Sequence, residues 1–325
     1  MREPKMRSAA RCAWVLVSLS VGRPEVLPGE GGAAEEPKEP EFSKEESREA
    51  FELGRSLFGI GKFEEAAAQF KKVRGDAKAK ADQLVVQSWI DGAAGGILLK
   101  KLKKVPPANW LALYDQVLQD YYPKYRATAA GPLFKEFLSE LEEACFVILE
   151  TFDVPSLAYS EKFGKTFVSD PKQTLDGTRC LRWTNTKDRK AAALKIQGAT
   201  APFPSDWTPF SQVEFWVSVR VQPRGAEAVI MCSAPGGGGG AKAKAAARED
   251  FFQRTIEIAS SPGKWKRIRV PISDFRPSGG ARLDAIAFFQ IQIPAGAAFD
   301  FLIDRVALVR KEPLAPGAKN VPGVR

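Results

Sequence analysis

The stretch GKWKRIRVPISDFRPSGGARLDAIAFFQIQIPAGAAFDFLIDRVALV, residues 263–309, decides the fold class. Trp265, Ile268, Val270 and Ile272 begin one segment of near-alternating residues. Ile286, Phe288, Gln290 and Gln292 lie in a second, and Phe299, Phe301, Ile303 and Val306 in a third. Alternation with period 2 buries one face of a strand and wets the other. Pro271, Pro277, Gly279, Gly280, Pro294 and Gly296 mark a strand edge or the turns. Three such strands cannot cover their own apolar face, so a second sheet is required.

The residues upstream supply it. From about Pro155 the period changes from 3.6 to 2, with strands expected at 156–159, 166–168, 178–184, 192–196, 212–221, 226–233 and 251–258. Short strands at regular spacing with turn residues between them read as a β-sandwich over 155–311, followed by a flexible tail at 312–325.

Before Pro155 the pattern is helical. In AFELGRSLFGIGKFEEAAAQFKKV (50–73), Leu53, Gly54, Leu57, Gly61, Phe63, Ala66 and Phe70 fit two short helices around a tight turn. Gly54 and Ala66 are small where the helices would cross, with Leu57, Phe63 and Phe70 filling the groove. A helix over 77–104 carries Leu84, Val85, Trp89, Ile90 and Ala93; Gly95-Gly96 weakens it and Pro106-Pro107 ends it. Asn109 caps a helix with Trp110, Leu113, Val117 and Leu118, which Pro123 terminates. Pro132 opens a last helix with Phe134, Phe137, Leu138, Leu141, Cys145, Ile148 and Leu149 on its apolar side. Residues 46–152 thus form one all-α domain, and the chain as a whole is α+β and multidomain.

Ahead of it, Arg2, Lys5, Arg7 and Arg11 precede the apolar run Ala13–Val21, a secretory signal pattern over 1–22 that points to a secreted or periplasmic protein and leaves a cytoplasmic one open. Residues 23–45 are rich in Pro, Gly, Glu and Lys and read as a disordered linker. No apolar run reaches 18 residues, so no membrane-spanning helix is expected.

The chain contains no histidine, which excludes Ser-His-Asp and Cys-His catalysis and His-ligated zinc. The four cysteines show no CxxC spacing. Cys180 and Cys232 both fall in expected strands, either as a pair in an oxidising compartment or as two separately buried thiols. The formal net charge of +9 is uneven: residues 156–325 hold 26 Lys and Arg against 15 Asp and Glu, while 50–155 are balanced. Solvated strand faces account for such an excess, and so does attraction to an anionic polymer. Gly236–Gly240 lacks the Gly-Lys-Ser/Thr ending of a phosphate loop and reads as a flexible insertion.

Two resemblances follow from these segments. The spacing over 47–73 resembles one tetratricopeptide repeat, with Leu57 where that family usually has an aromatic and no second copy downstream. LDGTRCLRW (175–183), DWTPFSQVEFWV (206–217), GKWKRIRVPISDF (263–275), LDAIAFFQIQI (283–293) and FDFLIDRVALV (299–309) together resemble the jelly-roll carbohydrate-binding modules of galactose-binding-like fold. That resemblance implies a non-catalytic module binding a polysaccharide or other glycan. It also implies that Asp304 ligates a structural calcium with an acidic residue on the first strand, for which Glu161 is nearest. A salt bridge from Asp304 to an arginine is the alternative, since a carboxylate in an apolar strand needs a partner.

Trp216 and Trp265 stand within alternating strands and read as core. Trp207 follows Pro202, Pro204 and Asp206 in a loop-like stretch, and Trp183 ends a strand beside Asn185. Trp183, Trp207, Asn185 and Arg182 are therefore the candidate ligand contacts. The rival function is a protein-interaction scaffold: a partner docks on the helical domain and the sandwich is structural. Nucleic acid is not expected, for no recognition motif accompanies the basic half.

Overall fold

The computed structural model describes residues 39–153, 164–170, 173, 175, 179–185, 192–196, 203–222, 227–233, 250–256, 258, 261–293 and 297–315, with only the backbone at 192 and 227–233. The 1–22 segment, most of the linker, the expected strand at 156–159, Glu161, the Gly236–Gly240 insertion and most of the tail lie outside these residues. The chain divides into two units. One comprises 39–104 with Val117–Glu136, the other Val105–Gln116 with 137–315.

The first unit opens with a helical hairpin, α1 (Glu45–Gly59) and α2 (Phe63–Val73), turning at Gly61 with φ +76°. α1 buries Phe51, Gly54 and Phe58, and α2 buries Phe63, Ala66, Phe70 and Val73. A Cβ on Gly54 would lie 2.6 Å from the Phe70 ring, so glycine sets how closely the helices approach. Phe58, not Leu57, fills the hairpin: it meets Phe63 at 5.0 Å and Trp89 at 5.4 Å between ring centroids. Leu53 is exposed, because Phe51 takes the inward position one turn before Gly54. Trp89 comes from α3 (Lys80–Leu102), which runs unbroken through Gly95 and Gly96. These glycines do not weaken it. They admit neighbours, since a Cβ on Gly96 would lie 2.5 Å from Phe63 and one on Gly95 2.9 Å from Tyr125. Val86 is buried on α3, and Leu84, expected inward, is 65% exposed.

Pro123 does not end its helix. α4 (Trp110–Gln116) continues through a π-helical turn over Val117–Tyr121 into α5 (Tyr122–Tyr125). Proline breaks an α-helix by removing an N–H and pressing on the preceding turn, and a widened turn just before it relieves both.

α6 (Gly131–Cys145) ends four residues before expected. Phe146–Glu150 leave it to form strand β1, pairing with a later strand from Phe146↔Val309 onward. Ile148 and Leu149 are therefore sheet residues, and the division expected near 152–155 is displaced. A run of aromatic and β-branched residues gains more from an unoccupied sheet edge than from another helical turn.

The remaining strands match the expected ones closely: β2 (Lys165–Val168), β3 (Cys180–Asn185), β4 (Ala192–Ile196), β5 (Phe210–Val221), β6 (Glu227–Ser233), β7 (Phe251–Ile256), β8 (Lys266–Pro271), a short β9 (Arg276–Ser278), β10 (Ile286–Ile293) and β11 (Phe299–Arg310). They form two antiparallel sheets. The first runs β2-β3-β11-β5-β8 with β1 also on β11, and the second runs β4-β10-β6-β7-β9. β3 and β1 share one edge of β11, and β5 lines the other.

Between the sheets lies the core. The first sheet contributes Leu181, Trp183, Val213, Phe215, Val217, Val219, Phe299, Phe301 and Ile303, and the second Leu194, Ile196, Phe289, Ile291 and Ile293. Two bulges reset the alternation. One between Asp304 and Val306 places Arg305 at φ 43°, which brings Val306 and Leu308 back onto the core face that Phe301 and Ile303 occupy. The other, between Ile286 and Phe288, shifts β10 so that Phe289, Ile291 and Ile293 face inward. Phe288, Gln290 and Gln292, which share sequence parity with the buried Ile286, face outward as a result. A one-residue slip exchanges every side chain of a strand between faces.

Candidate functional site

A sandwich has two outward faces, and they differ here. On the first sheet the outward positions of β5 and β8 carry Glu214, Trp216, Arg267 and Arg269. Glu214 is fully buried and accepts from Arg269 Nε at 2.6 Å. Arg269 forks onto Asp115 of α4 at 2.7 and 2.8 Å, and Arg267 reaches the same carboxylate at 2.6 Å while its guanidinium lies 5.5 Å from the Trp216 ring centroid. Arg305 donates to Tyr114 Oη of α4 at 2.6 Å and pairs with Glu142 of α6. Burial pushes the Tyr114 hydroxyl up to about 12. This part of the face is thus covered by α4 and α6 and closed by matched charges. Trp216 belongs to that charged layer rather than to the core between the sheets, and Trp265, half-buried, is outside the core as well.

The expected ligand contacts are not brought together. Trp183 is fully buried, its ring edge-on to Phe299 at 4.8 Å, because its parity on β3 points between the sheets. Trp207 is also fully buried: its loop folds inward, its indole N–H donates to the Pro204 carbonyl at 2.8 Å, and its backbone N–H donates to Leu283 O at 2.7 Å. Neither offers a ring face to a sugar. Asn185 is buried and donates to Ala297 O at 3.2 Å. Arg182 points away from Trp183, on the opposite face of β3, and grips Asp300 through two bonds of 3.0 and 2.7 Å. Loop composition and strand ends suggested these residues; packing buries Trp183, Trp207 and Asn185, and Arg182 stays partly exposed but paired with Asp300.

Asp304 is buried, and its two oxygens accept backbone N–H bonds from Arg305 at 2.8 Å and Leu175 at 3.4 Å. Calcium requires six to eight oxygens. The described residues offer no cluster of three Asp, Glu, His or Cys side chains, and N–H donors point at this carboxylate, so on their own they do not fit a calcium cage. Cys180 lies near Asp304; burial first, then that carboxylate, pushes its thiol up to about 12. Cys180 and Cys145 are both free thiols, and Cys180 and Cys232 stand on strands of different sheets.

The second sheet's outward face is different. Register aligns its strands into rows. Lys195, Gln290, Ile230, Gln253 and Arg276 form one row across β4, β10, β6, β7 and β9. Phe288, Cys232, Phe251 and Ser278 form the next, and Ala193, Gln292, Ala228 and Thr255 a third. Phe288 and Phe251 are half-buried, Gln253, Thr255 and Arg276 exposed, and Lys195 Nζ sits 3.7 Å above the Phe288 ring centroid. An open depression of about 450 Å³ runs beside β7 and β9, lined by Phe251, Gln253, Thr255, Arg276 and Ser278 among others.

The tripeptide Phe-Phe-Gln occurs at 251–253 and again at 288–290. In both copies the second phenylalanine enters the core, while the first, with the glutamine, stands on this face. Neither copy is among the ligand contacts expected from sequence, and the repeated tripeptide is the signal that could have found this surface.

No described helix is long and apolar enough to cross a membrane. No protein-family model and no curated protein matches the chain. Among solved structures it is similar to a family 11 carbohydrate-binding module from Clostridium thermocellum in complex with a β-1,3-1,4-mixed-linked tetrasaccharide, at 14% identity and TM-score 0.37, covering 52% of this chain and 98% of that one. It is similar to a family 30 carbohydrate-binding module of a cellulosomal cellulase of Clostridium thermocellum, at 11% identity and TM-score 0.36, over 52% and 95%. A further likeness, at 13% identity and TM-score 0.32, places 53% of this chain on 25% of an agarase. These likenesses extend over about half the chain, and at such identities and scores none of them names a ligand for it.

Proposed function

We propose that the sandwich is a non-catalytic module that binds carbohydrate across the outward face of its second sheet. The observation that carries this reading is the composition of the aligned rows: two outward phenylalanines, three glutamines and a threonine on one wet face. A pyranose presents an apolar face and a rim of hydroxyls. Phe288 and Phe251 stand two strand spacings apart, about 10 Å; Phe251 supplies a ring face for a sugar, and Phe288 seats the Lys195 ammonium as a donor to a neighbouring one. Each glutamine amide both donates and accepts, which matches a hydroxyl. A soluble globular surface ordinarily places charged residues at such positions, and half-buried aromatics flanked by amides favour a ligand over solvent.

The helical hairpin, with its tetratricopeptide-like spacing, is proposed as a separate element for a protein partner, and residues 1–22 as an export signal. Comparing the secreted fraction with and without 1–22 tests export.

The binding test uses the intact chain against a glycan panel by isothermal titration calorimetry. Phe288→Ala and Gln290→Ala are expected to weaken any retained glycan, the former about tenfold. Trp183→Phe and Trp207→Phe are expected to leave affinity unchanged while lowering stability. Binding untouched by Phe288→Ala, Phe251→Ala and Gln290→Ala together would end this reading.

A further inference from the structure

Resting on the carbohydrate reading, we infer that the ligand of this face is an acidic polysaccharide carrying widely spaced carboxylate or sulfate groups. The argument starts from how cations are partnered. On the first sheet the outward Arg182 has Asp300, and Arg267 and Arg269 share Asp115 and Glu214, while Arg220 donates to the Gln173 amide oxygen. On the second sheet Lys195 and Arg276 have no carboxylate partner among the described residues, and no acidic residue occupies an outward position of the three rows. Arg254 and Asp274 line the same depression as Arg276; they pair with each other at 3.8 Å and leave its charge balance unchanged.

The two cations end the same row, separated by four strand spacings, about 19 Å, with Gln290 and Gln253 between them. Lys195, an exposed side chain, lies over Phe288 in a cation–π contact at 3.7 Å, which sets its ammonium against the proposed binding surface. The spacing discriminates among polyanions. A nucleic acid strand presents a phosphate roughly every 3.4 Å, far denser than two cations at the ends of a sheet. A glycan with an anionic group only once in several sugars matches both the sparse charge and the amide-rich interval between. The basic excess over 156–325 adds a longer-range field of the same sign.

The test is binding by the intact chain to gellan, whose uronate recurs once per several-sugar repeat, and κ-carrageenan, sulfated on alternate sugars, as sparsely charged acidic probes, with polygalacturonate as a densely charged one. Mixed-linkage β-glucan and agarose serve as neutral probes and oligo-dT as a nucleic-acid probe, each at 50 and 300 mM NaCl. Lys195→Ala/Arg276→Ala and Phe288→Ala are compared with the parent, with unchanged circular dichroism as the folding control. The expected result is retention of at least one acidic glycan. That retention should weaken with salt and fall by tenfold or more in the double variant.

Retention of a neutral glycan alone, lost in Phe288→Ala but unaffected by the double variant, overturns the acidic inference and leaves the platform reading standing. Acidic binding that the double variant keeps in full overturns it as well, because the charge would act elsewhere. So does binding of oligo-dT as tight as that of any acidic glycan. No binding to any glycan sinks both readings together.

Discussion

Replacing Arg269 with methionine removes the centre of a buried charge network, and the structure fixes what is left behind. Glu214 is fully buried, and Arg269 Nε, at 2.6 Å, is its close cation; Arg267 Nε stands at 4.0 Å. Asp115 keeps its 2.6 Å bond to Arg267, so the stranded group is Glu214. Breaking one side of a buried pair costs about 3–5 kcal/mol because the remaining charge stays desolvated. For a unit of this size each kcal/mol lowers Tm by about 2–4 °C, so a fall on the order of 10 °C is expected.

Calorimetry of the intact chain reads this directly. Adding Glu214→Leu to the same variant should recover most of the loss, since removing both charges spares the desolvation penalty. As a control, Arg282→Ala, which breaks the exposed pair with Asp284, should leave Tm unmoved. A loss under about 1 kcal/mol for Arg269→Met would refute the reasoning, showing that Glu214 is hydrated and the face open.

Further outcomes follow from single features. Gly96→Ala raises helix propensity but pushes a methyl to 2.5 Å from Phe63, so the helical unit should lose about 1–3 kcal/mol, measured by urea denaturation; Gly59→Ala, with open space around it, should not. Burial pushes Cys145 up to about 11 and Cys180 up to about 12, so neither should react with a thiol reagent at pH 8 until the chain unfolds. Because those folded values lie above the unfolded ones, their stabilising contribution is full below pH 9 and is lost as pH rises toward 11–12. Tm should therefore decline across that window, less so in a Cys145→Ala/Cys180→Ala variant. A calcium titration is expected to leave Tm unchanged, since both Asp304 oxygens already accept N–H bonds; a rise would show that residues beyond those described complete a cage.

The candidate surface was half legible. The strand carrying Phe288, Gln290 and Gln292 could be located from its alternation, but which of its faces is wet could not. The bulge after Ile286 reverses its parity, and a bulge is a property of the pairing with β6 rather than of β10's own residues. Trp183 and Trp207 failed as sites for the related reason that burial depends on what packs above a residue, and composition does not report that. The same holds at Pro123, where a π turn lets the helix continue, and at Ile148 and Leu149, where a free edge of β11 captures an apolar run that reads equally well as helix.

Sequence alone determined what is set by local pattern: an antiparallel sandwich from the period-2 segments, helices from the period-3.6 ones, and the exclusion of histidine chemistry from a count of zero. Side-chain periodicity is imposed by backbone geometry and is therefore written into neighbouring residues. Only the tertiary structure decided which face of each sheet the described residues leave open. The carboxylates that close the first face come from Asp115, Glu142 and Glu214, distant in sequence from Arg267, Arg269 and Arg305. The cations left without such partners on the second face stand on Lys195 and Arg276, which strand register alone brings into one row.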